Sequence, residues 1–155
     1  MEAYFFVKTI HILSSTILFG TGIGIAFFMF RSYFTPNIHE KLYAARNTVL
    51  ADYIFTFPAV IIQPVTGVWL VMYGGYNWMD LWVVATVIIY VIAGLCWLPV
   101  VWVQIQLKRM LMQSVEMNTA LPSNYDRLFK IWTMLGIPAF IGLVAIFFLM
   151  VIRPV

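Results

Sequence analysis

Four stretches of this 155-residue chain are long and apolar enough to cross a lipid bilayer, and nothing else in the sequence constrains the fold as much. A crossing helix needs about 20 mainly apolar residues to match a hydrocarbon core roughly 30 Å thick. The stretches run from about Tyr4 to Phe30, Val49 to Tyr73, Met79 to Ile105 and Phe129 to Ile152. Composition supports the same conclusion: 63% of residues are hydrophobic and 10% charged, against roughly 45–50% and about 25% in soluble domains. A soluble enzyme, a disordered tail and a nucleic-acid binder are excluded. The connections, residues 31–48, 74–78 and 106–128, are too short for a further domain, so residues 1–155 form one all-α membrane four-helix bundle.

Basic residues set the orientation. Arg31, Lys41 and Arg46 fall in the first connection, and Lys108, Arg109, Arg127 and Lys130 in the third. The opposite side keeps only Lys8 and Arg153. By the positive-inside rule, connections one and three are cytoplasmic and both termini are outside. Met1-Glu2-Ala3-Tyr4 carries no basic n-region, so span one reads as a retained helix rather than a cleaved signal. Lone Cys96 excludes a disulfide framework and cysteine-held zinc or iron–sulfur.

Polar residues inside the spans are few, and helical spacing sorts them. Lys8, His11, Ser15 and Gly22 share a face of span one. Asp52, Thr56, Gln63 and either Thr66 or Gly67 do so on span two, and Thr86, Tyr90, Gly94, Trp97 and Gln104 on span three. Such groups are costly against lipid, so the stripes should face one another. Arg46, Asp52, Gln104 and Lys108 fall at the cytoplasmic boundary and read as an ion pair anchoring helix ends. Gly20 and Gly24 form a GxxxG pair, suited to close helix packing and to a homodimer. Pro58, Pro64, Pro99 and Pro138 lie within spans two to four, where each removes a backbone donor and kinks its helix.

His11 is the sole histidine within a span, since His39 sits in a connection. A lone intramembrane histidine serves as a hydrogen-bonded packing residue, a proton carrier or a haem ligand. From spacing alone all three stay open.

Val7-Lys8-Thr9-Ile10-His11-Ile12, followed by Phe19-Gly20, resembles span one of a superfamily of small bacterial integral membrane proteins. That group includes the membrane-bound protoporphyrinogen oxidase and, more distantly, copper-resistance membrane domains. Over its whole length the chain is more similar to an uncharacterised family of predicted four-helix bacterial integral membrane proteins. Val49-Leu50-Ala51-Asp52, Gln63-Pro64-Val65-Thr66-Gly67 and the run Cys96 to Gln104 carry that likeness. The oxidase resemblance implies a b-type haem with His11 as axial metal ligand, and electrons passed to a quinone or another redox partner. Lys8 and Arg153 would pair with its propionates, and Ser15, Gln63, Thr66, Thr86 and Tyr90 would line its pocket. The oxidase also has a lysine in its third span, whereas none precedes Lys108 here. The resemblance therefore carries over the haem ligand, not porphyrinogen oxidation.

The expected protein is a multi-pass haem b protein of the bacterial inner membrane with a redox or porphyrin-related role, in outline a haem-dependent oxidoreductase. A cofactor-free membrane subunit or small-solute carrier is the alternative.

Overall fold

The computed structural model describes residues 1–154, which form helices and connections without a strand. Helix α1 spans Glu2–Tyr33 and α2 Ile38–Ala51. A single π-helical turn, Asp52–Thr56, leads from α2 into α3, Phe57–Tyr73. Helix α4 spans Leu81–Glu116 and α5 Tyr125–Ile152. Counting Ile38–Tyr73 as one rod, these make four helices with mean hydropathies of 1.9, 1.8, 2.4 and 2.7 over their most apolar windows.

The helices outrun the expected spans. The rods Ile38–Tyr73 and Leu81–Glu116 have 36 residues each, about 54 Å at about 1.5 Å per residue, well beyond a hydrocarbon core of roughly 30 Å. The first connection thus shrinks from residues 31–48 to 34–37, and the third from 106–128 to 117–124. Local chemistry starts α2 early: the Asn37 side chain caps it by accepting from the His39 N–H at 2.9 Å. Leu42, Ala45, Thr48 and Val49 then follow helical spacing and are buried, as are Leu107, Leu111 and Ser114 on α4.

Those extensions hold the best-packed part of the molecule. Met29, Leu42, Val103, Leu107, Leu111 and Phe129 belong to one core at the end away from the termini. The location follows from the solvent. Where helices leave the bilayer, water drives burial, whereas within lipid apolar side chains gain little by facing inward. Around this end Lys41 donates to the Tyr33 carbonyl at 2.6 Å, and Tyr33 donates its hydroxyl to Asp126 at 3.0 Å.

Helix α4 packs along α5, α1 lies against α2 and α3, and α2 meets α4. Helices α3 and α4, though joined by a short connection, make few close backbone approaches to each other. The prolines explain the backbone there. Pro58 has no N–H and its ring would collide with the carbonyl four residues back. The preceding turn widens, and the Phe57 N–H reaches the Asp52 carbonyl five residues earlier. Pro64 leaves the Val60 carbonyl without a helical donor, and Tyr90 of α4 supplies its hydroxyl at 2.6 Å.

Gly20 and Gly24 do not mediate packing inside this chain, since a Cβ at either would meet nothing within 4 Å.

Candidate functional site

Two polar groups form between the helices. The first joins α1 to α3 near the end that carries both termini. His11 Nδ1 lies 2.7 Å from Thr66 Oγ1. The Thr66 hydroxyl has one hydrogen and sits 2.6 Å from the Ile62 carbonyl, to which it donates. With that hydrogen on the Ile62 carbonyl, Thr66 accepts from His11 in the Nδ1–H tautomer, whose lone pair is on Nε2. Gln63 Nε2 donates to the His11 carbonyl at 2.7 Å and also to Ser14 Oγ. Gly67 of α3 lies directly against the ring: a Cβ there would make an ordinary van der Waals contact, 3.5 Å, with His11 Cε1.

Of the residues expected around His11, this group gathers Gln63 and Thr66. Ser15 is turned away, its hydroxyl donated to the Ile12 carbonyl at 2.7 Å. Its neighbour Ser14, which the spacing did not select, is buried and faces Gln63. A step of three or of four residues from His11 stays on one helix face, so spacing alone could not choose between the two serines. The sequence held no signal between them, since apolar Leu18 lies four residues beyond Ser14 and apolar Phe19 four beyond Ser15. Lys8 holds its ammonium over the Tyr4 ring, 5.9 Å from the centroid. Arg153 donates to the Tyr76 hydroxyl at 2.9 Å, with its guanidinium 5.6 Å from the Trp82 ring. Thr86 Oγ1 is buried without a hydrogen-bond partner.

The second group lies deeper, on a cavity of about 460 Å³ between α1, α3, α4 and α5. Asp52, Thr56 and Gln104 line it, as does Tyr90, whereas His11, Gln63 and Thr66 do not. Tyr90 and Trp97 thus wall this cavity rather than the surroundings of His11. The Thr56 and Gln104 side chains turn to the Asp52 carboxyl and hydrogen-bond it, and Asp52 Oδ2, Thr56 Oγ1 and Gln104 Oε1 are themselves closed off from the cavity. This corrects the expected boundary ion pair. Arg46 is exposed, Asp52 is 4% exposed, and among the described residues no cation acts on its carboxyl. The six residues from Arg46 to Asp52 turn an α-helix by about 240° relative to the start, so the two side chains cannot share a face.

Long apolar helices that bury polar groups only against one another define a polytopic helical membrane protein. The chain belongs to the family described as predicted integral membrane protein (DUF2269), whose profile matches residues 5–154. No curated protein and no solved structure matches it.

Proposed function

We propose that the chain is a membrane haem protein that holds a b-type haem through His11 and passes electrons to a quinone or another redox partner, with both termini on the outer side of a bacterial inner membrane. The observation that carries this reading is the Thr66 hydrogen bond. An axial histidine must be neutral, with its free nitrogen unprotonated and its other nitrogen donating to a fixed acceptor. Thr66 provides that acceptor, and Gln63 holds the α1 backbone at His11 from the facing helix. These two contacts support the reading of His11 as an axial ligand.

Bound haem would supply one-electron chemistry at its iron. The residues of the chain would do the rest. Thr66 would fix the ring's tautomer and raise its basicity. Lys8 and Arg153, at the same end of the bundle, bring positive charge for propionates. Tyr90 belongs to the deeper cavity and takes no part in holding the ligand.

Absorption spectroscopy of protein purified from haem-replete cells tests the proposal. A Soret band that His11→Ala removes and Thr66→Val shifts supports it. A colourless preparation contradicts it, and is what a cofactor-free subunit or carrier would give.

A further inference from the structure

The cavity of about 460 Å³ walled by Tyr90 and Trp97 is almost wholly apolar, and the His11 group makes no use of it. Glycines hollow it out. Gly22 of α1, Gly94 of α4 and Gly136 of α5 all line it, and a Cβ added to any of them would meet nothing within 4 Å. The shape is long and narrow. On α1 the lining runs from Leu18 to Phe30, about 18 Å at about 1.5 Å per residue. Spread over that length, the volume leaves a cross-section of about 25 Å², room for one hydrocarbon chain.

The mouth opens to lipid. The exposed residues of the wall are Ile23, Ala26, Phe27 and Phe30 on α1 and Ile137 and Ile141 on α5, so they border one seam. Aromatic pairs close that seam at both ends: Phe19 stacks on Phe140 at 5.1 Å, and Tyr33 on Phe129 at 4.4 Å. The two helices make few close backbone approaches overall. Leu18 lies midway along the apolar stretch Tyr4 to Phe30, so the slot occupies the half of the bilayer away from the termini. A ligand enters it sideways from that leaflet.

Charge marks the far end of the mouth. Arg31 follows Phe27 by one helical turn on α1, and Lys130 precedes Ile137 by two on α5; both are exposed. The two cations thus flank the seam from opposite sides, just past the apolar stretch, at headgroup depth. The one carboxylate on α5, Asp126, is engaged by the Tyr33 hydroxyl at 3.0 Å.

We propose that this slot binds one anionic phospholipid, with an acyl chain between α1 and α5 and the phosphate at Arg31 and Lys130. An acyl chain asks for no hydrogen bond, and the wall offers none to spare: Thr133 donates to the Phe129 carbonyl at 3.1 Å and Tyr90 to the Val60 carbonyl at 2.6 Å. Apolar burial gives little inside a bilayer, so the fit of the chain and the charge of the headgroup set the preference. A compact apolar solute would leave most of the slot empty and ignore both cations.

The test titrates the full chain in detergent with phosphatidylglycerol and phosphatidylcholine carrying the same brominated acyl chains. Bromine quenches tryptophan on contact, and the difference between each protein and its Trp97→Phe counterpart isolates the signal from the slot. Phosphatidylglycerol should quench saturably and about tenfold or more tighter than phosphatidylcholine, since a basic residue near anionic lipid is worth about fivefold. Arg31→Gln combined with Lys130→Gln should bring the two lipids to one affinity while the quenching persists. Gly94→Leu should abolish quenching by either lipid by filling the slot; should it fail to fold, Gly136→Leu fills the same slot from α5. His11→Ala should change none of this, which separates the slot from the haem proposal. Equal affinities in the parent, or quenching of Trp97 that survives the leucine substitutions, would overturn the assignment.

Discussion

The Tyr90 hydroxyl donates to the Val60 carbonyl at 2.6 Å, and Val60 is the residue whose helical donor Pro64 removes. The proline on α3 is thus met by one side chain on α4, and this bond links two helices that make few other close approaches. Tyr90→Phe should destabilise the protein by about 1–2 kcal/mol, the cost of orphaning a half-buried carbonyl. Pro64→Ala restores an N–H at residue 64 and should make the tyrosine change nearly neutral. Unfolding in mixed micelles, measured on both single variants and the double variant, checks this. Additive effects would mean that the bond does not compensate for the proline.

Helix α1 is tied to α3 by Gln63, which bonds both the His11 carbonyl and Ser14. Interhelical hydrogen bonds in membranes average about 0.6 kcal/mol and reach about 1.7. Gln63→Leu breaks two at once and should cost about 1 kcal/mol. Ser15→Ala, one residue from the buried serine, should stay within about 0.5 kcal/mol of the parent. The same unfolding measurement ranks them, and an equal loss for both would misplace the α1 face.

The packed end of the bundle should dominate stability. Leu107 is fully buried there, whereas Leu95 is 64% exposed on the same helix. Leu107→Ala should cost about 2–5 kcal/mol through the cavity it leaves. Leu95→Ala should cost little, since lipid solvates an alanine nearly as well as a leucine. Thermal denaturation in detergent that affected both alike would deny the end-loaded core.

Much of this architecture was legible in the sequence, because a run of apolar residues carries its own length. The helix ends were not. Residues 38–48 and 106–116 are charged enough to read as connections, yet Leu42, Ala45, Leu107 and Leu111 recur at helical spacing and pack together. The polar stripes on α1 and α3 do meet, as the cost of facing lipid required. Which serine would meet Gln63 needed the helix's rotation, which steps of three and four residues leave open. Asp52 was the harder case. Nearby Arg46 and Lys108 suggested an ion pair, but the turn of the helix sends Arg46 outward, and the π-helical turn before Pro58 is a backbone event that hydropathy does not register.

Thr66 should matter through His11 alone. Thr66→Val removes the acceptor at Nδ1, and loss of such a supporting bond typically weakens a bound metal group about 10- to 100-fold. Reconstitution with haem should therefore need more haem in this variant, with the fold retained by circular dichroism. Unchanged affinity would remove Thr66 from the ligand's support.

The most direct measurement is the haem content per chain of purified protein, taken by alkaline pyridine spectrum for the parent and for His11→Ala. The account predicts a b-type spectrum at near-stoichiometric haem in the parent and none in the variant. A folded parent without haem, or a variant that keeps it in full, would contradict His11 as the ligand.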